Sequence, residues 1–242
     1  MSTKLIQRLK GNKLGGRGSF SASHGGVKVS VHGAGSLYIS EKKETRSDIR
    51  QMFINELGFK ELYGTNSIPT AQLGAIGNAL KQNERNQNIL KNNNVFLSIT
   101  NDPGTKGAAM QMRDGSMVMF LNPSLHSNVG GYRKTLRNEQ KIGFKTKTDN
   151  KITNDFAYTA RHEYGHLVQY DATRRTGKNA GQIRNEVQSI AKNKYNANKS
   201  NPSGYGSSNV REYFAESYAS MTSGKPNAQG KAMADWLKKN GR

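Results

Sequence analysis

Two of the five histidines in this 242-residue chain lie four residues apart, in the pentapeptide HEYGH at residues 162–166. Positions i and i+4 share one face of an α-helix, so a helix here would present both imidazoles to the same point in space. The surrounding sequence favours a helix over residues 153–173, because this stretch lacks proline and Thr153 or Asn154 can cap its first turn. The pentapeptide therefore constrains the fold strongly, since it requires a helix with two imidazoles on one side.

The pattern His-Glu-x-x-His also has a chemical meaning. His162 and His166 can bind one metal ion through their imidazole nitrogens, while Glu163 can accept a proton from water on that metal. The same pattern occurs in metalloproteases, where the metal is zinc (Zn²⁺). The alternative is a helix that carries two solvated histidines, but we favour the metal site because two of only five histidines fall here.

A catalytic zinc site needs a third protein ligand and keeps one position for water. The extended motif with a third histidine six residues after the second is excluded, because Ala172 occupies that position. Asp171 lies five residues beyond His166 on the same predicted helix. We expect Asp171 to hydrogen-bond an imidazole rather than to bind the metal itself.

A second helix is predicted over residues 209–222, and it carries two glutamates four residues apart. Glu212 and Glu216 would share one face of this helix, so that one could bind the metal while the other anchors an imidazole. The alternative is that Asn209 and Glu212 form a capping box while Glu216 is solvated. With His-Glu-x-x-His in the same chain, we favour the role in metal binding.

This part of the chain resembles a known family of metallopeptidases. Residues 203–216 read SGYGSSNVREYFAE. A Tyr-Gly pair followed by Glu-x-Phe-Ala-Glu, downstream of HExxH, is similar to the catalytic domain of anthrax lethal factor and its relatives, which include the Pro-Pro endopeptidases of clostridia. The resemblance covers roughly residues 150–222, whereas residues 1–150 show no such similarity.

The resemblance implies a zinc-dependent endopeptidase with a zincin-like fold. It implies that His162, His166 and Glu212 bind Zn²⁺ and that Glu163 is the general base. It also implies that Glu216 lies behind the metal site and supports a histidine.

Tyr205, seven residues before Glu212, matches the active-site tyrosine of this family. The resemblance implies that its phenol hydrogen-bonds the oxyanion formed when water attacks a carbonyl. The alternative for Tyr205 is an ordinary aromatic residue of a surface loop.

The hydrophobic periodicity predicts an α+β domain, with strands in its first half and helices in its second. Residues 95–100 read as a strand and residues 108–121 as a hairpin, with Asp114-Gly115 in a two-residue type I′ turn. Residues 128–150 read as a basic loop. Helices are predicted from residue 47 to Gly58 or Gly64, from about residue 69 to the Asn92–Asn94 run, and over residues 153–173, 180–196, 209–222 and 228–239. We therefore expect a zincin-like domain with a small antiparallel sheet and a mostly helical C-terminal half.

The hairpin precedes the histidine helix, where zinc peptidases of this type bind substrate backbone along an edge strand. Residues 116–121 are the candidate for that strand, with an ordinary core strand as an equal alternative. The hairpin holds four methionines, which we expect to fill an irregular core rather than to form an adaptable peptide-binding surface.

Residues 1–46 differ from the remaining domain, residues 47–242, because they are rich in glycine and in basic residues. Nine Lys or Arg against two Glu give this arm a net charge of +7. Residues 27–31 and 36–40 alternate in the manner of a short hairpin, and we expect the arm to be mobile unless a partner orders it. No apolar core of a signal peptide follows the basic N-terminus, so export by the usual route is not expected.

The whole chain carries 37 Lys and Arg against 17 Asp and Glu, a net charge of +20, and it contains no cysteine. This charge favours polyanions, so nucleic acid and virion components are candidate partners besides a protein or peptide substrate. No apolar stretch is long enough for a membrane span. Two alternatives stay open: a phage virion or other nucleic-acid-associated protein that retains the scaffold, and a bacterial effector toxin delivered by a dedicated secretion route.

Overall fold

The computed structural model describes residues 20–24, 27–32, 36–40, 45–99, 106–123, 129–149 and 155–240. The chain divides into two compact units, residues Met1–Thr45 and Arg46–Arg242. In the first unit, an antiparallel sheet contains strands β1 (Phe20–His24), β2 (Val27–His32) and β3 (Ser36–Ser40) in that order. The β2–β3 pair matches the hairpin that the alternating sequence predicts.

The second unit combines helices with one small sheet. Its described residues form eight α-helices: α1 (Arg46–Gln51), α2 (Thr70–Gln87), α3 (Ile89–Asn92), α4 (Val129–Lys141), α5 (Tyr158–Thr176), α6 (Ala180–Tyr195), α7 (Val210–Met221) and α8 (Ala228–Lys239). Helix α1 continues as a π-helix, Met52–Leu57, which ends at Gly58 with a φ of +91°. The strands are β4 (Leu62–Tyr63), β5 (Val95–Ile99), β6 (Gly107–Gln111) and β7 (Met117–Leu121). The mixed α/β composition and the helical C-terminal half agree with the prediction from the sequence.

The sheet of the second unit is mixed, whereas the sequence predicts an antiparallel one. Its strand order is β4-β5-β7-β6, with β4, β5 and β7 parallel and β6 antiparallel to β7. Helices α2 and α3 lie between β4 and β5 in the chain. A helical crossover of this kind joins parallel strands, and the pattern of each single strand does not reveal it.

Strand β7 lies inside the sheet, with β5 on one side and β6 on the other. The prediction that residues 116–121 form the substrate strand is therefore wrong, because that segment has no free edge. Among the described residues, the edge of the sheet beside this segment is strand β6. Met117 and Met119 are buried as predicted for core residues, but Met110 and Met112 on the β6 side of the hairpin are exposed.

The turn between β6 and β7 is one residue longer than predicted. The N–H of Met112 donates to the carbonyl of Ser116 at 2.8 Å, which leaves residues 113–115 in the loop. Gly115 adopts the left-handed conformation with a φ of +84°, whereas Asp114 does not. The Asp114 side chain accepts hydrogen bonds from the Ser116 backbone N–H at 3.0 Å and hydroxyl at 2.6 Å. These bonds stabilise a three-residue loop in place of the type I′ turn.

Helix α4 occupies much of the segment 128–150, for which the sequence predicts a basic loop. Tyr132 and Leu136 lie one turn apart on its buried side and belong to a small apolar cluster with Phe156 and Tyr158. Two glycines and several basic residues surround this short apolar face in the sequence. The helix is therefore stabilised by tertiary packing that the local pattern does not show.

Helix α5 carries the pentapeptide and packs against α7. It begins at Tyr158, later than predicted, and the predicted capping positions 153–154 lie outside the described residues. Gly165 lies where the two helices meet, since a Cβ there would be 3.0 Å from both Ala215 Cα and Tyr218 Cβ. The missing side chain lets α5 and α7 approach closely, which brings the face of α7 with its two glutamates against the histidines. Among the described residues, no helix combines the length and the apolar character needed to cross a lipid bilayer.

Candidate metal centre

Helices α5 and α7 bring together three side chains that can bind a metal ion. His162, His166 and Glu212 each offer one donor atom, and these atoms lie within 4.8 Å of one another. Nε2 of His162 is 2.9 Å from Oε2 of Glu212, and Nε2 of His166 is 3.6 Å from Oε1 of the same carboxylate. The structure thus brings together the set that the sequence predicts, with two imidazole nitrogens facing one carboxylate.

The backbone at the start of α7 directs Glu212 toward the histidines. The Asn209 side chain caps the helix by accepting hydrogen bonds from the N–H groups of Arg211 at 2.9 Å and Glu212 at 3.0 Å. The Glu212 carboxylate faces His162 and His166. The alternative in which Glu212 serves a capping box while Glu216 is solvated does not describe this structure.

Glu216 lies one turn further along α7 and is completely buried behind His162. Its Oε1 is 3.0 Å from Nδ1 of His162. The other groups that donate to this carboxylate are the Tyr158 hydroxyl at 2.8 Å, the Ser203 hydroxyl at 2.7 Å, the Thr146 N–H at 3.1 Å and the Lys145 ammonium at 3.5 Å. A carboxylate on Nδ1 fixes the tautomer of the imidazole and leaves Nε2 directed at the metal position.

Electrostatics at the site follow from these pairings. Burial alone would lower the pKa of His162, but its hydrogen bonds to Glu212 and Glu216 outweigh burial and raise the pKa to about 9. Burial would raise the pKa of Glu216, yet His162 and Lys145 hold it down at about 2. The two histidines likewise hold the pKa of Glu212 below its usual range against the effect of burial. Two imidazoles around one ionised carboxylate form a donor set that a divalent cation fits.

Glu163 is buried beside this donor set and lines the same cleft. Burial raises the pKa of its carboxyl, and the positive charge of His162 and His166 opposes that increase. Strand β6 begins directly against this side chain, because a Cβ on Gly107 would lie 2.8 Å from Oε1 of Glu163. Sequence reasoning missed Gly107, whose only signal is a small residue at the start of a strand.

Tyr205 lies in a short 3₁₀ turn, Tyr205–Ser207, and its ring centroid is 5.6 Å from that of His162. Burial and the charge of Glu212 raise the pKa of its phenol to about 12, so that the hydroxyl keeps its proton at neutral pH. Lys145 places its ammonium 3.4 Å from the centre of the Tyr205 ring, and the Phe144 ring lies 5.5 Å away. Sequence reasoning missed both of these contacts, because it gave residues 128–150 no role.

Asp171 does not take the role that the sequence suggests. Its carboxylate oxygens contact Arg174 at 2.9 Å and Arg175 at 2.8 Å on the same helix. Nδ1 of His166 is buried without a hydrogen-bond partner among the described residues, and Nδ1 of His162 bonds Glu216 instead. The expected hydrogen bond between Asp171 and an imidazole is thus not made, because two nearby arginines attract the carboxylate.

The donor atoms line an open cleft of about 490 Å³. The residues around it are Gly107, Ala108, Ala109, His162, Glu163, His166, Tyr170, Tyr205, Asn209, Val210, Arg211 and Glu212. One wall is the free edge strand β6, and the opposite side is the start of α7. The cleft therefore offers space for a ligand between a strand edge and the three candidate metal ligands.

Three comparisons with known proteins were negative. No protein-family model matches the chain, and neither a curated protein nor a solved structure matches it.

Proposed function

We propose that this protein is a zinc-dependent endopeptidase with a zincin-like catalytic domain, acting on a protein or peptide substrate. The observation that carries the proposal is the convergence of His162, His166 and Glu212 beside the buried carboxylate of Glu163 in an open cleft. The resemblance of the HExxH and ExFAE segments to the lethal factor family supports the same assignment.

Zinc is the metal that best fits this donor set. Two histidines and one glutamate with an open fourth position are typical of zinc in hydrolases. His162, His166 and Glu212 would hold the ion, and Glu216 would hold His162 in the required tautomer. When bound, zinc would supply a Lewis acid that acidifies water to a pKa of about 7 and polarises a peptide carbonyl.

Glu163 is the group that would move the proton. It would take a proton from the attacking water and deliver it to the leaving amine. Burial favours both steps, because the raised pKa of this carboxyl lies closer to neutrality than that of a solvated glutamate. The absence of a side chain at Gly107 leaves room for this carboxyl next to the edge strand.

Tyr205 would stabilise the oxyanion that forms when water attacks the carbonyl. Its phenol keeps its proton at neutral pH and can therefore donate a hydrogen bond. Lys145 and Phe144 contact its ring and fix its place beside His162.

Strand β6 would bind the substrate backbone by strand addition. Lys106 and Met112 form backbone hydrogen bonds with the β7 side of the hairpin. Because such bonds alternate along an antiparallel pair, the N–H and C=O groups of Gly107, Ala109 and Gln111 point away from β7, toward the edge of the sheet. The carbonyl of Ala109 accepts a hydrogen bond from the Tyr170 hydroxyl at 3.1 Å. A peptide along this edge would pass directly over Glu163.

The proposal is tested by digesting a diverse peptide library with the zinc-loaded full chain and identifying the products by mass spectrometry. We expect cleavage that is abolished by chelators and that falls by roughly 10²–10⁴-fold in Glu163→Gln, the range for loss of a general base. The matched control is Glu56→Gln, which removes an exposed carboxylate elsewhere and should cleave like the parent.

Zinc content is measured on the same samples. Glu163→Gln should retain the metal, so that lost cleavage reports the proton transfer and not an empty site. Cleavage by Glu163→Gln at the parental rate, or a folded parent that binds no zinc, contradicts the proposal.

A further inference from the structure

A second cleft, of about 820 Å³, lies in the same unit and shares no lining residue with the metal cleft. The loop that follows α4 forms one wall, and residues 198–207 before α7 form the other. Its lining includes Ile142, Lys145, Lys147, Lys199 and Lys225. The proposed peptidase mechanism does not use this cavity as a binding site.

The described residues that line this second cleft are basic and include no carboxylate. Four lysines contribute to it, and none of the 17 lining residues is Asp or Glu. Lys147, Lys199 and Lys225 are exposed, and none of the three has an ion-pair partner among the described residues. The remaining polar side chains are amides and hydroxyls, which can donate hydrogen bonds to an anion.

Some other lysines of the unit are paired with a carboxylate. Lys81 pairs with Glu56, Lys106 with Glu139, and Lys194 with Asp235. The three outer lysines of the second cleft have no such carboxylate among the described residues. They differ from unpaired lysines elsewhere on the unit because they surround one concave surface. A concave surface with uncompensated cations of one sign concentrates anionic ligands.

We propose that the second cleft binds the phosphate backbone of single-stranded nucleic acid. Its volume falls within the roughly 300–1,000 Å³ of pockets that take compact organic ligands, which suits one or two nucleotides of a strand rather than a duplex. Ile142, 79 % exposed, lies on its wall and offers an apolar surface to a base. The net charge of +20 gives the whole chain the long-range attraction that such binding needs.

We assign this binding to the three exposed lysines of the cleft, because the fourth, Lys145, already contacts residues of the metal site. Lys145 is largely buried, 3.5 Å from Glu216 and in contact with the Tyr205 ring. In the part of the chain that the structure describes, Lys147, Lys199 and Lys225 have no such contacts with the metal site, so that we expect changes at them to leave it intact. The proposal therefore does not depend on the peptidase activity.

The test measures binding of a fluorescently labelled 20-nucleotide oligothymidine to the full chain by anisotropy, over a series of salt concentrations. One variant combines Lys147→Gln, Lys199→Gln and Lys225→Gln. The matched control combines Lys134→Gln, Lys192→Gln and Lys238→Gln, three exposed lysines that line neither cleft. Both variants lose the same charge, so general attraction, including any contribution of the basic arm, changes equally.

We expect the cleft variant to bind at least tenfold more weakly than the control variant near 0.1 M salt. Its slope of log K against log salt should shrink by about 2, because each lost phosphate contact on a single strand removes about 0.7. Equal affinities and equal slopes for the two variants would overturn the proposal, as would a parent that does not bind the oligonucleotide. Thermal unfolding of each variant verifies that a loss of binding is not a loss of fold.

Discussion

Glu212 and Glu216 are the same residue type on the same face of α7, one turn apart, yet their surroundings differ completely. Glu216 is 0 % exposed and is surrounded by donors from three separate segments of the chain. Glu212 keeps 16 % of its side chain exposed, opens onto a cleft and faces two imidazoles. The protein satisfies one carboxylate itself and leaves the other available to a ligand.

This difference indicates that the two glutamates of α7 have different roles. A buried carboxylate is tolerated only when hydrogen bonds and a counter-charge replace water. The donors around Glu216 meet that requirement and at the same time hold His162. Glu212 does not have this support, so we attribute stability mainly to Glu216 and metal affinity mainly to Glu212.

The largest difference between Glu216 and Glu212 is expected in their contributions to the free energy of unfolding. Glu216→Leu removes the buried carboxylate that Lys145, Ser203 and Nδ1 of His162 contact, and should lower the free energy of unfolding by about 3–5 kcal/mol. Glu212→Gln should lower the free energy of unfolding by only about 1 kcal/mol, because the Glu212 side chain is partly exposed and glutamine keeps an oxygen that can accept a hydrogen bond. Urea denaturation of the metal-free proteins measures both values, and equal losses would contradict the division of roles.

The second largest effect is expected in kcat when Tyr205, which lines the metal cleft beside Glu212, is changed. Tyr205→Phe removes a hydroxyl that we place near the oxyanion, so kcat should fall by roughly 10²–10³-fold while zinc affinity is unchanged. Steady-state kinetics on a peptide identified from the library measures the fall, and a parental kcat would remove Tyr205 from the mechanism. Tyr195→Phe, on α6 outside the cleft, is the matched control.

Metal affinity sharpens the comparison further. Glu216→Gln should weaken zinc binding by roughly 10–100-fold, the usual cost of losing a partner that orients a metal ligand. Glu212→Gln should weaken it more, because it removes a proposed ligand itself. Competition with a chelator of known affinity gives both constants, and a larger loss for Glu216→Gln would reverse our assignment of the two residues.

The smallest effect is a difference in acid stability. Because the pKa of Glu216 is held at about 2, below its ordinary value of 4.5, its charge stabilises the fold above about pH 4.5. That contribution decreases as the pH falls toward 2. The stability advantage of the parent over Glu216→Gln should therefore shrink between pH 5 and pH 2 in urea unfolding. An advantage that stays constant over this range would show that the charge of Glu216 contributes nothing.

The sequence predicts the grouping of His162, His166 and Glu212 better than it predicts the fold around them. The spacing of four residues in His162/His166 and in Glu212/Glu216 is a property of one helix turn, so it can be read directly from the chain. The need for a third metal ligand predicted that the helix with Glu212 packs against the helix with the histidines. In the structure, α5 and α7 are in contact at Gly165.

The contacts that were missed are between residues distant in sequence. Lys145 and Thr146 lie about 70 residues before Glu216, and no local pattern links them. Gly107 meets Glu163 only because β6 lies at the sheet edge, and the edge position depends on a crossover that single-strand patterns do not encode. Asp171 was assigned to the wrong partner because Arg174 and Arg175, on its own helix, are closer competitors.

The close approach of α5 and α7 at Gly165 has a consequence for how the protein folds. The two histidines belong to one helix, so a metal ion could bind both of them as soon as that helix forms. Glu212 joins them only when α7 packs against α5, and the whole of α6 lies between these two helices in the chain. Closing such a loop costs entropy that the later contacts must recover. Binding of a metal ion by all three residues would thus be a late event in refolding. The visible absorption of cobalt, used in place of zinc, would report when these two helices pack together.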